Sequence, residues 1–347
     1  MKVERVLVTG GCGFIGSNFI LYLLGQHSEM EVTNLDKLTY ASNPQNLRDV
    51  QDDARYRFVQ GDICDASLVD ELMATVDAVF NFAAETHVDR SLIGGAPFMS
   101  TDVLGTYVLL EAARRHPNVI RFIQVSTDEV YGEMPPETSA REEQALHPRS
   151  PYAASKAGGD MQCIAFHETY GLPVIITRSA NNIGPRQYIE KFVPLCVANA
   201  LRDQPLPLYG DGLQVRDWLH VGDHCRALDL VFESGESGQV YNVGAGNYAE
   251  NLHVAEGILD ILGKPRSLIR FVEDRAGHDR RYSVDSSRLR ALGWAPKSGF
   301  AAALERTVQW YVENRWWWEP LMQRPEFQSY YEQQYGRRLA QSLPYTS

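Results

Sequence analysis

The chain contains no apolar run approaching the roughly eighteen residues that a membrane-spanning helix needs, so a helical membrane protein is not expected. Cysteine is scarce. Cys12, Cys64, Cys163, Cys196 and Cys225 are odd in number, widely spaced and without a CxxC pair, which argues against a disulfide framework and against a zinc site; no metal is expected. Cys12 falls inside a glycine loop, where it reads as a small space-filling residue. Basic charge is also short: 33 Lys and Arg stand against 44 Asp and Glu, a formal net charge of -11. Such a chain repels nucleic acid and anionic lipid, and neither is an expected partner. An anionic small molecule remains open, because it needs only a local group of Arg and Lys. The segment Met1 to Val8 is too short in apolar residues for a signal peptide, and no small-residue cleavage site follows. A cytoplasmic location is the expectation.

What is present is ordinary for a globular protein: 347 residues, 44% hydrophobic and 22% charged, enough for one large domain or two joined ones. The first half alternates strand-like and helix-like segments. Val6–Thr9, Glu31–Leu35, Tyr56–Val59, Ala78–Phe82, Arg121–Val125 and Val174–Thr177 read as strands; Phe14–Leu24, Thr101–Arg115 and Tyr152–Tyr170 read as helices. This alternation predicts an α/β fold with a doubly wound parallel sheet covered on both faces. After Gly184, prolines, loops and short strands dominate, which predicts a smaller α/β domain over the carboxyl edge of the sheet. The expected division is a first domain over 1–184, with 215–245 returning to it, a second over 185–214 and 246–325, and an extension over 326–347. Trp310, Tyr311, Trp316, Trp317 and Trp318 read as a packed C-terminal helix and strap.

Thr9-Gly10-Gly11-Cys12-Gly13-Phe14-Ile15-Gly16 follows the first strand and opens the first helix. Gly10 permits a tight turn, Gly13 lets the backbone approach a pyrophosphate, and Gly16 lets helix and strand pack closely. The helix N-terminus then offers free N–H groups to phosphate. A glycine triplet also makes plain turns, but this one has the strand–loop–helix setting of a dinucleotide site. Asp36, twenty residues after Gly16 at the end of the second strand, suits the adenosine ribose hydroxyls and selects NAD over NADP; Lys37 beside it weakens that selection. Asp62, in Gly61-Asp62-Ile63 after the third strand, could meet the adenine amino group. Tyr152 and Lys156 stand four residues apart on one helical face. A nearby ammonium, helped by a cationic nicotinamide, is expected to lower the Tyr152 phenol and make it a usable base.

These residues resemble the extended short-chain dehydrogenase/reductase family, built on a Rossmann sheet. The resemblance tightens at Ser126-Thr127-Asp128-Glu129-Val130-Tyr131-Gly132. Most epimerases of that family carry a Ser or Thr here without the Asp-Glu pair, and the Thr-Asp-Glu form looks like its nucleotide-sugar 4,6-dehydratases. Ala83-Ala84-Glu85-Thr86-His87-Val88-Asp89-Arg90-Ser91, Tyr209-Gly210-Asp211-Gly212, Val215-Arg216-Asp217-Trp218 and Gly277-His278-Asp279-Arg280-Arg281-Tyr282 agree. The resemblance runs from about residue 4 to about residue 320 and leaves Arg324 to Ser347 outside.

The resemblance implies an NAD-dependent hydro-lyase acting on a nucleoside-diphosphate hexose, with dTDP-glucose expected and other bases left open. A 4-epimerase of the same fold and a catalytically idle NAD sensor are the alternatives. Tyr152 would take the C4 hydroxyl proton while hydride moves to NAD, and Thr127 would hold the C4 oxygen. Glu129 would remove the C5 proton, and Asp128 would protonate the departing C6 hydroxyl before hydride returns to C6. The cofactor residues it implies are Gly10, Gly13, Phe14, Ile15, Gly16, Asp36, Lys37, Leu38, Thr39, Asp62, Ile63, Ala83, Ala84, Thr86, Thr101, Tyr152, Lys156 and Asn182. The substrate residues are Thr86, Thr127, Asn181, Lys191, Phe192, Pro207, Tyr209, Arg216, Asn251, Asp274, Arg275 and His278. Arg216 is the best phosphate partner, since a guanidinium engages two oxygens at once; the plainer reading is an ion pair with Asp211 or Asp217. Ile183, Arg186 and Ile189 depart from the family pattern, which leaves the base and the sugar open. The family also implies a homodimer through a four-helix interface formed by Thr101–Arg115 and Tyr152–Tyr170.

Overall fold

The computed structural model describes residues 3–345. Its strands are β1 (Arg5–Thr9), β2 (Glu31–Asp36), β3 (Tyr56–Gln60), β4 (Ala78–Asn81), β5 (Arg121–Thr127), β6 (Val174–Ser179), β7 (Asn181–Ile183), β8 (Leu206–Tyr209), β9 (Val215–His220), β10 (Val240–Val243), β11 (Tyr248–Glu250), β12 (Ile269–Val272) and β13 (Leu343–Pro344). Seven form one parallel sheet in the order β10-β6-β5-β4-β1-β2-β3. Val6, Leu7 and Val8 of β1 and Val79 and Phe80 of β4 are fully buried, as befits central strands covered on both faces. The chain winds outward from β1 to β3, then restarts at β4 and winds the other way. The crevice beyond the carboxyl ends of β1 and β4 is therefore the topological switch point, where such sheets bind ligands.

The helix Pro151–Tyr170 shows why the sequence folds as it does. Ser150 caps it by accepting the Ala153 amide at 3.1 Å, Pro151 takes the first turn, and Gly171 closes it in the left-handed region at φ 67. The expected helix from Thr101 is regular only over Thr106–Arg115; Met99–Gly105 before it is a run of wide, π-helical turns.

Beyond β6 the chain builds two small sheets, β11-β9-β7 and β13-β12-β8. In the stretch 215–245, β10 joins the large sheet beside β6 and the helix Val221–Ser234 packs on Phe14–Gln26, while β9 pairs with β7 and β11. Trp317 and Trp318 are buried and Trp316 is exposed under the Arg48 guanidinium, 4.0 Å from its centroid, which is the packed arrangement expected. Between Arg324 and Tyr345 the chain forms the helix Pro325–Tyr331, further turns to Ala340, and β13 paired antiparallel with β12.

Candidate active site

The glycine loop forms the floor of the switch-point crevice. Gly10 has φ 69, and a Cβ there would lie 2.8 Å from the Ala83 nitrogen; a Cβ on Gly16 would lie 2.5 Å from the Gly10 carbonyl oxygen. The loop can take this shape only without side chains. Gly16→Ala is therefore expected to abolish dinucleotide binding by forcing helix and loop apart, measured as loss of NAD retention in otherwise folded protein by calorimetry.

Asp36 is buried and already organised: its carboxylate accepts the Cys12 amide at 2.8 Å, the Leu38 amide at 2.8 Å and the Ser42 hydroxyl at 2.9 Å. Lys37 does not oppose it, because its ammonium is turned 2.6 Å from Asp62. Leu38 is the cofactor residue that the structure does not place on the crevice. It sits at φ 60 and packs against the core beneath the sheet, so its backbone shapes the Asp36 turn while its side chain faces away. The remaining expected cofactor residues all line this crevice, and so do Glu85, Ser126 and Tyr188, which carry no sequence signal of their own. Fit to a dinucleotide thus rests on a close-approach loop, a fixed carboxylate and a helix N-terminus facing one cavity.

Tyr152, Lys156, Thr127, Asp128 and Glu129 converge where the crevice turns toward the second domain. Thr127 ends β5, and its hydroxyl accepts the Glu129 amide at 3.3 Å, which starts the turn carrying both acids. Lys156 is buried and donates to the Val125 carbonyl at 2.9 Å. The packing of the protein itself works against an easily ionised Tyr152 phenol. Burial holds that phenol well above its ordinary value, the charges of Glu129 and Asp102 add to this, and the Thr127 hydrogen bond pulls the other way. Helical spacing brings Tyr152 and Lys156 to one face, but desolvation and two nearby carboxylates outweigh an amine engaged with a backbone carbonyl.

The two acids are buried side by side, and each has one oxygen, Asp128 Oδ2 and Glu129 Oε2, without a hydrogen-bond partner. Burial raises both. Asp128 is pushed well above the carboxylate range, with Glu129 adding to the push and Arg216 opposing it. Glu129 is raised by burial too, but Arg275, Arg216 and Lys191 all pull it back. Three cations bear on Glu129 and one on Asp128, so the carboxyl of Asp128 is raised further than that of Glu129.

A second cleft continues from Glu129 and Lys191, bounded by Phe192, Pro207, Tyr209, Arg216, Asn251, Arg275 and His278. Asn181, whose Oδ1 is buried without a partner, faces both clefts. Arg216 forms neither of the ion pairs considered: Asp211 pairs with Arg280 at 2.7 Å and Asp217 accepts the Gly246 and Asn247 amides. Instead Arg216 is buried, donates to the Val215 and Asp279 carbonyls, and lies 4.3 Å from the Tyr282 ring centroid. Lys191 is buried with its ammonium on the Thr86 carbonyl, and burial lowers its basicity. Asp274 is displaced from the cleft wall. It lies behind it, its carboxylate taken up by His278 Nδ1 at 2.6 Å and the Arg275 amide at 2.8 Å. Ile183 and Ile189 are fully buried in the second core and Arg186 bonds the Asn46 carbonyl; none of the three lines either cleft.

Sequence reasoning missed the extension. Tyr335 lines the second cleft, 5.9 Å from Tyr209 by ring centroids. Gln334 donates to Asp89 at 3.1 Å, and the same carboxylate accepts from Tyr209 at 2.8 Å. The only signal available was aromatic density in an otherwise polar tail.

Parallel-sheet topology, a dinucleotide crevice, the Tyr–Lys helix and the Thr-Asp-Glu turn together define an extended short-chain dehydrogenase/reductase of the dehydratase type. A family model described as GDP-mannose 4,6 dehydratase matches residues 7–307. A dTDP-glucose 4,6-dehydratase of Streptomyces niveus is 51% identical over 322 residues, covering 91% of this chain and 95% of its own. The dTDP-glucose 4,6-dehydratase 1 of Escherichia coli strain K12 is 44% identical, covering 96% and 99%, so the similarity reaches past residue 320 into the extension. The crystal structure of DesIV, a dTDP-glucose 4,6-dehydratase of Streptomyces venezuelae solved with NAD bound, superposes with a TM-score of 0.89 at 51% identity, covering 92% and 100%. The chain belongs to this family, among the dTDP-glucose 4,6-dehydratases.

Proposed function

We propose that this protein converts dTDP-glucose to dTDP-4-keto-6-deoxyglucose with NAD as a retained cofactor. The observation that carries the reading is the buried Asp128–Glu129 pair, with one unpartnered oxygen each and unequal cationic surroundings, in the same cavity as Tyr152. An epimerase has no use for two acids beside the redox pair, and an idle sensor has no use for their separation.

The dinucleotide would be held by the glycine loop, Asp36, Asp62, Thr101, Lys156 and Asn182, and supplies the oxidising and then the reducing equivalent for the sugar. Tyr152 accepts the proton of the C4 hydroxyl, with Thr127 holding the C4 oxygen. The resulting ketone acidifies C5, and Glu129 takes that proton. Asp128 delivers its own proton to the C6 hydroxyl, which leaves as water. C5 is reprotonated as the reducing equivalent returns to C6, and the proton that Tyr152 took from the C4 hydroxyl balances the one that Asp128 gave at C6, so the net change is the loss of one water. Arg216, Lys191, Arg275 and His278 would receive the diphosphate, and Phe192, Pro207, Tyr209 and Asn251 the nucleoside. The decisive experiment incubates the enzyme with dTDP-, UDP-, GDP- and CDP-glucose and scores 4-keto-6-deoxy sugar. Product from the dTDP sugar is expected. A 4-epimer, or no turnover across the panel, overturns the reading. Arg216→Met is expected to raise KM for the nucleotide sugar about tenfold or more, since a charge-assisted phosphate contact contributes about 1.5–3 kcal/mol, with kcat changed far less.

We also propose a homodimer. Leu104, Tyr107, Met161 and Tyr170 are 51%, 43%, 46% and 56% exposed on the helices Thr106–Arg115 and Pro151–Tyr170 and the turns before the first. Grouped apolar side chains on paired helices suit a four-helix interface. Sedimentation equilibrium should give a dimer, and Met161→Glu should shift it toward monomer; a monomeric native protein contradicts this. The division at residue 184, with β10 and the helix Val221–Ser234 returning to the first domain, is proposed on the same footing. Among the described residues no helix is long and apolar enough to cross a membrane, which supports a cytoplasmic site of action.

A further inference from the structure

Asp102 is a buried carboxylate that the steps above leave without a task. It is 1% exposed and sits in the wide turns Met99–Gly105; such turns redirect side chains and often mark functional positions. Its Oδ2 accepts the Ser155 hydroxyl at 2.6 Å and its Oδ1 accepts the Glu85 amide at 3.0 Å. Gly159 makes the approach possible, because a Cβ there would lie 2.7 Å from the Asp102 carbonyl oxygen. Ser155 lies between Tyr152 and Lys156 on the same helix, and its hydroxyl also bonds the Tyr152 carbonyl at 2.8 Å.

The charges around Asp102 are few. Lys156 and Tyr152 face it from the long helix, and Glu85 from the loop after β4. Thr106, Asn81 and Gln124 on the sheet side are neutral and bonded among themselves or to the Asp102 carbonyl. Burial pushes the Asp102 carboxyl up to about 6, against the pull of Lys156 and Ser155, so at neutral pH it carries charge in a poorly solvated place. A charge there disfavours a Tyr152 phenolate.

We propose that Asp102 is a positioning residue for the redox pair: through Ser155 it fixes the turn carrying Tyr152 and Lys156, and its charge sets the pH at which Tyr152 becomes a base. The inference rests on the assignment of Tyr152 as the C4 base. Removing the charge should therefore ease loss of the Tyr152 proton. Asp102→Asn, compared with wild type in the NAD-loaded enzyme, is expected to move the ascending limb of the kcat/KM–pH profile for dTDP-glucose down by about one unit, with KM for the sugar changed less than about twofold. A limb that stays in place, or a change confined to KM or to thermal stability, overturns the proposal. Should the Asn variant not fold, Ser155→Ala serves in its place. Loss of that hydrogen bond frees the turn carrying Tyr152 and Lys156 from Asp102, so kcat should fall while KM for the sugar changes less than about twofold, and an unmoved kcat overturns the proposal. Failure of wild type to form keto sugar would instead sink the functional reading itself, so the two failures are separable.

Discussion

Glu129→Gln should leave an enzyme that oxidises the sugar at C4 and then stops. The amide cannot accept the C5 proton, yet it preserves the volume of a side chain that is half-buried with one carboxylate oxygen shut off from solvent. Loss of a general base costs roughly a hundredfold to ten-thousandfold, or about 3–5 kcal/mol in barrier. Two readings check it. Reduced nicotinamide should accumulate during single turnover, and deuterium from solvent should no longer enter C5. Normal product yield would contradict the assignment of Glu129. Asp128→Asn is expected to differ: C5 exchange should persist while elimination slows, because Asp128 acts at C6. The distinction follows from the surroundings, since Glu129 faces Arg275, Arg216 and Lys191 whereas Asp128 is relieved by Arg216 and the Thr127 hydrogen bond.

Tyr152→Phe should fail one step earlier. Without the phenol oxygen no group in the cavity is placed to take the C4 hydroxyl proton, so neither reduced nicotinamide nor C5 exchange should appear, with the rate down by a similar hundredfold to ten-thousandfold. The packing sharpens this prediction. Tyr152 is buried and its phenol is held well above the ordinary value by desolvation, Glu129 and Asp102, so water has little access to replace it. If C4 oxidation survived in the Phe variant at near-native rate, Thr127 or Asp128 would have to be the base and the mechanism would need rewriting.

Much of this site was legible before any fold was known. The glycine spacing, Asp36, Tyr152 with Lys156, and the Thr127-Asp128-Glu129 run are local patterns: each depends on residues close in sequence, whose geometry a strand, a turn or a helix fixes by itself. The parallel, doubly wound character of the sheet followed from strand–helix alternation. The illegible parts are non-local. Leu38 could not be known to turn into the core, because that depends on the handedness of a single loop residue, nor Asp274 to stand behind the cleft, where His278 Nδ1 and the Arg275 amide take up its carboxylate. Ile183 and Ile189 looked like changes in the nucleotide pocket and are core packing.

The sequence by itself determined the fold class and the dinucleotide loop, since hydrophobic period and short-range spacing encode them, and the family resemblance of its Thr-Asp-Glu run pointed to the candidate reacting side chains. Only the tertiary structure decided how those side chains are tuned. The unequal surroundings of Asp128 and Glu129, the raised Tyr152 phenol, the Lys156 bond to Val125 and the presence of Tyr335 and Gln334 at the substrate cleft all arise from burial and from groups brought together from separate elements of the chain. Desolvation and Coulomb interaction depend on distance in space, and no one-dimensional spacing rule records that distance.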